Sequence, residues 1–171
     1  MKALSENAKL KISSISLSVV FAITAILFFF TQYIFSGESY FMYSHFSGLD
    51  LAFGLTIEGG RAGFFPFFLP LLFSVVGIIC AVMTAFKKSK SLNKVLFCFC
   101  AAVALISAII YVATYFYETS RYEGVIKFLD WTFAFWGAFA FYCIAFLISS
   151  AVVFFAFRKN KPIPNNKNNE V

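Results

Sequence analysis

Four long stretches of this 171-residue chain contain no charged side chain, and every charge lies between or outside them. They cover residues 12–35, 62–86, 95–117 and 131–157. The hydrocarbon core of a bilayer is about 30 Å thick, and roughly 20 residues of α-helix cross it. Each stretch is therefore long enough to cross. The sequence predicts an all-α integral membrane protein whose four transmembrane helices form an antiparallel bundle.

The composition agrees with a membrane protein. The chain is 61% hydrophobic and 13% charged, whereas a soluble domain carries about 25% charged residues. A soluble protein of this composition would expose large apolar patches and aggregate. We expect one transmembrane domain, 12–157, between an N-terminal segment, 1–11, and a C-terminal tail, 158–171. The tail is polar and rich in Asn, and we expect it to be disordered.

The positive charges predict the orientation. Arg61, Arg121 and Lys127 lie in two connections, 36–61 and 118–130, on one side of the predicted membrane. The remaining 11 of the 14 Lys and Arg residues lie on the other side: Lys2, Lys9, Lys11, Lys87, Lys88, Lys90, Lys94, Arg158, Lys159, Lys161 and Lys167. The side with more Lys and Arg is normally cytoplasmic.

This distribution predicts a multi-pass protein of the plasma membrane, with both termini and the connection 87–94 in the cytoplasm. Lys and Arg beside membrane spans are attracted to anionic lipids. They are not arranged on a framework that reads bases, so we expect the partner of this charge to be the lipid bilayer and not a nucleic acid. The richness in Phe, Ile, Lys and Asn indicates an AT-rich genome, and we expect a bacterial origin.

The connection 36–61 is the only long one, and it is unusually apolar. Apolar residues alternate over 50–58, which predicts a short extended segment, with a turn of interfacial helix as the alternative. We interpret this connection as the surface that meets a membrane-protein partner or another copy of the chain. Its candidate residues are Phe46, Leu49, Asp50, Leu51, Phe53, Leu55, Ile57 and Glu58.

A hinge is predicted where this connection enters the second span. Gly59, Gly60 and Gly63 make the entry pliable. Pro66 falls in the first helical turn, where its missing N–H costs little. Pro70 lies one turn deeper, where a proline removes a backbone hydrogen bond and is expected to bend the helix.

Small residues recur at a spacing of three or four in every span, which places each row on one helix face. Lipid provides little hydrophobic drive for helix association, so close approach at small residues matters more. We therefore predict that these rows are the packing faces of the bundle. They comprise Ser14, Ser18, Ala22, Gly77, Ala81, Ala85, Ala101, Ala104, Ala108, Ala134, Gly137 and Ala138.

The spans contain no charge, which disfavours pumps, voltage sensors and proton-coupled carriers. Cys80, Cys98, Cys100 and Cys143 all fall within spans and lack the spacing of a metal or redox motif. We expect no cofactor and no metal. The one histidine, His45, with Asp50 and Glu58 in the outer connection, is conceivable as an acid–base or metal site, but its spacing matches no catalytic motif.

The layout of four spans, two inner ends and a longer first outer loop is similar to that of claudin-like and other tetraspan proteins. The resemblance covers topology only. Claudins carry a Trp-Gly-Leu-Trp motif and a cysteine pair in that loop, and this loop has neither tryptophan nor cysteine. The resemblance therefore implies the layout, and neither a function nor a site residue.

The residues predict a non-enzymatic protein that acts by association, as an accessory or scaffold subunit. Two alternatives remain open. The first is an oligomeric transporter or channel component for a neutral or apolar solute, indicated by the proline-containing second span. The second is a small enzyme acting on membrane lipid through the outer carboxylates.

Overall fold

A bundle of four long helices dominates the computed structural model, which describes residues 6–36, 43–53, 64–86, 89–122 and 128–156. The predicted helical membrane fold is confirmed in this respect: four helices in the described part are long and apolar enough to span a membrane. The spans are Ala8–Phe28, Phe65–Phe86, Ser91–Ser120 and Phe133–Phe155. The chain is therefore a multi-pass membrane protein.

Five α-helices, three short strands and one 3₁₀ turn make up the described chain. In chain order they are α1 (Glu6–Phe28), β1 (Thr31–Ser36), β2 (Tyr43–Ser47), α2 (Gly48–Phe53), the 3₁₀ turn Phe65–Phe68, α3 (Leu69–Phe86), α4 (Lys90–Tyr122), β3 (Phe128–Trp131) and α5 (Phe133–Ala156).

The long helices form a ring in which α1 and α4 each pack against both α3 and α5. Ser14 of α1 meets Thr84 of α3, and Thr24 meets Ser74, so these two helices run antiparallel. Because α1 begins and α5 ends at the same end of the bundle, the described chain enters and leaves on one side. We call the end that carries the three strands the sheet end.

The strands form an antiparallel sheet in the order β2-β1-β3. This sheet was not predicted, and it changes the first span. The charge-free stretch 12–35 predicts helix to its end, but α1 stops at Phe28 and Thr31–Ser36 forms the central strand. Thr, Tyr, Ile and Phe in this segment favour strands, and pairing with β2 and β3 satisfies its backbone groups.

Within the segment 50–58, whose alternation predicts an extended conformation, residues 50–53 are helical and residues 54–58 lie outside the described residues. Gly48–Phe53 is helical, as in the alternative interpretation. Ser47 and Asp50 make a reciprocal cap: Asp50 Oδ2 accepts hydrogen bonds from the backbone N–H and the hydroxyl of Ser47, both at 2.7 Å. This arrangement is typical of a helix start and stabilises it over a strand.

Pro70 lies at the start of a helix and not within one. The segment Phe65–Phe68 is a 3₁₀ turn with Pro66 at its start, and α3 begins only at Leu69. The predicted bend at Pro70 is therefore replaced by a change from 3₁₀ to α geometry. In the first turn of α3 the missing N–H of Pro70 has no partner within that helix to lose.

Helix α4 is longer than its charge-free stretch. It has 33 residues, about 50 Å at 1.5 Å per residue, whereas 95–117 was predicted. It begins after Ser89, whose hydroxyl accepts a hydrogen bond from the backbone N–H of Leu92 at 3.5 Å. It continues to Tyr122, because no Gly or Pro interrupts it before residue 124. The predicted connections 87–94 and 118–130 are correspondingly shorter.

The α1–α3 contact depends on Gly77. A Cβ atom placed on Gly77 would lie 2.7 Å from the ring carbons of Phe21, a fully buried side chain of α1. A Cβ on Gly137 of α5 would meet Leu27 and Phe133 at 3.6 Å, an ordinary contact distance. Of these two positions, only Gly77 has to be glycine for the helices to approach this closely.

We expect Gly77→Ala to destabilise the bundle by about 1–3 kcal/mol, because the added methyl group pushes Phe21 out of its position. The measurement is thermal unfolding in detergent, followed by a dye that becomes fluorescent when it reacts with the buried thiols of Cys80 and Cys100. Gly137→Ala is the matched control and should unfold near the wild-type midpoint. Equal midpoints for the two variants would contradict the close contact at Gly77.

Candidate functional site in the bundle core

Many polar side chains of the described chain are buried in the bundle, whereas many large apolar side chains are exposed on its outside. Ile15, Ile109 and Leu147 are each more than half exposed. Lipid covers such a surface at no cost, whereas a polar group facing hydrocarbon would lack a partner. The buried polar side chains are Ser14, Thr24, Gln32, Ser74, Thr84, Asn93, Ser107, Thr114, Glu118 and Ser149.

Three hydroxyls from three helices meet in the middle of the bundle. Tyr142 of α5 donates its hydroxyl proton to the backbone carbonyl of Pro70 at 2.7 Å, and its oxygen lies 2.7 Å from Ser74 Oγ. Ser74 Oγ lies 2.8 Å from Thr24 Oγ1 of α1. We call Thr24, Ser74 and Tyr142 the central hydroxyl cluster. It joins α1, α3 and α5 through direct hydrogen bonds.

The central hydroxyl cluster has two proton arrangements. Thr24 is also 2.8 Å from the carbonyl of Phe21, so Thr24 and Tyr142 each have a backbone acceptor. Ser74 carries one proton between two hydroxyl neighbours. Ser74 can donate this proton to Thr24 or to Tyr142. The hydroxyl that does not receive it then donates its own proton to Ser74 instead of to its backbone acceptor. The cluster is therefore a short relay of interchangeable donors.

A second hydroxyl pair lies nearer the opposite end of the bundle. Ser14 Oγ and Thr84 Oγ1 are 2.6 Å apart and are both buried. Between this pair and the central hydroxyl cluster lie Leu17, Phe21 and Ala81, each with 0% exposure. The two polar layers are thus separated by a closely packed apolar layer.

Helix α4 carries a buried polar row that leads from the middle of the bundle to the sheet end. Ser107, Tyr111, Thr114 and Glu118 follow at spacings of four, three and four, which places them on one face. Ser107 and Thr114 donate to the carbonyls four residues before them at 2.8 and 2.7 Å. The Tyr111 hydroxyl has no hydrogen-bond partner among the described residues. We call these four residues the α4 polar row.

Glu118 corrects an expectation from the sequence. The charge-free stretches predict that Glu118 lies in the outer connection 118–130 and that the spans contain no charge. Instead it lies within α4 and within the candidate span Ser91–Ser120, and it is only 1% exposed. A carboxyl group in such a place is costly and is a functional hypothesis by default. The spacing of four from Thr114 was the sequence signal that could have assigned it to the helix.

Gln32 joins the end of α1 to the start of α5. Its Nε2 donates to the carbonyls of Leu27 and Phe30, at 2.7 and 3.0 Å, which satisfies acceptors that a helix end leaves open. The backbone carbonyl of Gln32 accepts hydrogen bonds from the backbone N–H and the hydroxyl of Thr132, at 2.9 and 3.1 Å. Gln32 is fully buried. The sequence distinguishes Gln32 because it carries the only amide side chain in the four charge-free stretches.

Aromatic rings fill the bundle between the central hydroxyl cluster and the sheet end. The Tyr111 ring lies 4.9 Å from that of Phe67, 5.0 Å from Phe135 and 5.6 Å from Tyr142, measured between centroids. Trp131 extends the group at 4.3 Å from Phe135. Such tilted contacts stabilise beyond the area that they bury. They also close the core toward the sheet.

Two cysteines that are 20 positions apart meet across the α3–α4 contact. The thiols of Cys80 and Cys100 are hydrogen-bonded to each other, and Cys100 Sγ lies 3.9 Å from the carbonyl of Gly77. Cys98 is exposed, Cys143 is half-buried, and all four are free thiols. Spacing along the chain cannot reveal a pair of cysteines that helix packing brings together.

The predicted partner surface is only partly at the surface. Leu51 is 2% exposed and belongs to the core, so it is removed from that surface as a correction. Leu49 and Asp50 are half-buried, and Phe53 is exposed. Phe46 lies in β2. The remaining members, Leu55, Ile57 and Glu58, lie outside the described residues, as do the hinge glycines Gly59, Gly60 and Gly63.

The small-residue rows lie mostly inside the bundle. Half-buried members are Ser18, Ala22, Ala85 and Ala101. Buried members are Ser14, Gly77, Ala81, Ala104, Ala108, Ala134, Gly137 and Ala138.

The structure gives Asp50 a capping role at the start of α2. His45 belongs to β2, opposite Ile34, and Glu58 lies outside the described part. Within the described part, no three His, Cys, Asp or Glu residues are grouped so as to hold a metal ion. The hydroxyls of the core can exchange hydrogen bonds with a neutral polar group.

We expect Tyr142→Phe to destabilise the protein by about 1–2 kcal/mol, because it removes the hydrogen bonds to Pro70 and Ser74 inside the membrane. Tyr111→Phe is the matched control. It removes a buried hydroxyl that has no partner in the described structure, and it should leave stability unchanged or raised. The thiol-reactive unfolding assay reports both midpoints. A control as unstable as Tyr142→Phe would contradict the assignment of the hydrogen bonds to Tyr142.

No protein-family model, curated protein or solved structure matches this chain. Its own residues provide the classification. It is a multi-pass membrane protein with four helices long and apolar enough to span the bilayer, and its polar core groups lie between those helices.

Proposed function

We propose that this protein is a non-enzymatic accessory or scaffold subunit of the plasma membrane, which acts by binding a membrane-protein partner or further copies of itself. The observation that carries the proposal is the filled core. Phe21, Phe28, Phe67 and Phe135 are each at most 1% exposed. The central hydroxyls bond one another and the backbone. An interior of this kind supports a role carried out at the surface.

The sheet end is the proposed contact surface. It combines β1, β2 and β3 with α2, and it is the part of the described chain that lies outside the four long helices. Hydrogen bonds attach it to the long helices: Gln32 joins α1 to α5, and Phe64 donates a backbone hydrogen bond to Leu51 at 2.8 Å. A surface held in place before binding loses less entropy on binding, which supports a role in recognition.

The orientation is also a proposal: both termini are cytoplasmic and the sheet end is outside. Lys9 and Lys11 lie at the start of α1, and Lys94 lies at the start of α4. Both helix starts are at the end opposite the sheet. This grouping supports the cytoplasmic assignment of that end.

A membrane-impermeant maleimide should label Ser89→Cys in inside-out vesicles and not in intact cells; the reverse pattern would overturn the orientation.

The partner is tested with a photo-crosslinking amino acid introduced at Phe46 in β2, in cells that express the protein at native level. We expect crosslinked products above the monomer mass from Phe46, because β2 belongs to the proposed contact surface. The same amino acid at Ser89, an exposed residue at the opposite end, is the control and should give none.

Native gels of mildly solubilised membranes provide the independent readout and should show the protein in a complex larger than the monomer. A monomer on native gels, together with an absence of crosslinks from Phe46, would contradict the proposal. A complex with crosslinks only from Ser89 would move the contact to the opposite end.

A second candidate, an oligomeric transporter or channel component for a neutral solute, is favoured by one observation. The α4 polar row places Tyr111, Thr114 and Glu118 along a buried line that leads to the sheet end. Uptake of small neutral solutes by proteoliposomes distinguishes this candidate. If swelling rates equal those of protein-free liposomes, the solute pathway is contradicted and the accessory role remains.

A further inference from the structure

Three phenylalanines from two separate segments form an exposed patch at the sheet end. Phe53, the last residue of α2, has its ring 5.8 Å from that of Phe65 and 5.1 Å from that of Phe68. Phe53 is 51% exposed and Phe65 is 59% exposed. We call these three residues the phenylalanine patch. Exposed rings in contact with each other require a covering phase other than water.

The depth of the patch follows from the span that it touches. Phe65 is the first residue of the candidate span Phe65–Phe86. Phe68 lies one 3₁₀ turn further into that span, about 6 Å along its axis. Because the Phe53 ring is in contact with Phe68, Phe53 lies at the level of the span and not above it.

The patch is continuous with the surface that lipid already covers. Along α3, the outward side chains that follow Phe65 and Phe68 are apolar and exposed: Leu72, Val75, Val76 and Ile79. A bilayer that covers these residues meets the phenylalanine patch at its upper edge. The same acyl chains that cover the outer face of α3 therefore reach Phe53.

Helix α2 is suited to this depth, because its polar groups have partners within the protein. The carboxylate of Asp50 is held by Ser47. The carbonyl of Leu51 accepts from the backbone N–H of Phe64. The side chains of Leu51 and Ala52 are buried and fix α2 against the bundle. The side chain that faces outward at the end of α2 is the ring of Phe53.

We propose that the phenylalanine patch is a lipid-binding surface, and that α2 lies in the interfacial layer of the bilayer as an anchor. Its occupant is the upper part of phospholipid acyl chains. The outer connection is thereby held at the membrane surface from Gly48 to Phe53 instead of extending into the aqueous phase. Aromatic side chains favour this layer of the membrane. This inference assigns the Phe53 end of α2 to lipid and leaves the three strands as the proposed contact surface for a partner.

The test uses single-tryptophan variants in a Trp131→Phe/Trp136→Phe background, reconstituted in vesicles whose phospholipids carry bromine on the upper acyl chain. Phe53→Trp is the test variant. Leu72→Trp, on the exposed face of α3 and outside the patch, is the reference for lipid contact, and Ser89→Trp is the reference for water contact. We expect bromine to quench Phe53→Trp at least half as strongly as Leu72→Trp. Aqueous iodide should quench it less than half as strongly as Ser89→Trp.

Two patterns overturn the proposal. Quenching of Phe53→Trp by iodide, at the level of Ser89→Trp, would place the patch in water. Quenching by neither reagent would show that another protein surface covers it. A second measurement uses the wild-type chain: lipid with a diazirine on the upper acyl chain should form photoadducts on the peptide that contains Phe53. Adducts restricted to the four long helices would also overturn the proposal, whatever the folding of the tryptophan variants.

Discussion

Hydrogen bonds between helices, formed where water is absent, are the interaction on which the rest of this structure depends. Lipid competes for apolar side chains as well as protein does, so apolar burial gives the helices little reason to associate. The central hydroxyl cluster does give such a reason. Tyr142 reaches across the bundle to Pro70 and Ser74, and Ser74 reaches Thr24, so three of the four long helices are joined in one network. Each member would lose these partners if the helices separated.

The same constraint explains the sheet end. A helix that stops within a membrane leaves carbonyl groups without partners, and α1 stops seven residues before its apolar stretch does. Gln32 satisfies two of the open carbonyls and then becomes the bulged residue of β1. The strand that follows pairs on both sides. Backbone hydrogen bonding therefore changes from helix to cap to sheet along this part of the chain.

Residues that the sequence assigned by type acquired different roles through packing. Asp50 was a candidate carboxylate for chemistry and is the cap of α2. Pro70 was a candidate kink; it lies in the first turn of α3, and its carbonyl accepts a hydrogen bond from the Tyr142 hydroxyl. Glu118 was a loop acid and is buried at the end of the α4 polar row. In each case the residue type was informative, but its neighbours come from distant parts of the chain. The local sequence pattern reports only on residues that are close together in the chain.

The sequence by itself indicated four segments apolar enough to span a membrane, because hydrocarbon disfavours charge, and the described chain has four helices long and apolar enough to do so. It also indicated the small residues, such as Gly77 and Ala81, that lie where helices meet. Only the tertiary structure decided which polar groups bond to each other, where α1 gives way to β1, and that the ring of Phe53 contacts the ring of Phe65. Those outcomes depend on the register between antiparallel helices. Register is determined by close contacts such as Phe21 against Gly77, between residues far apart in sequence.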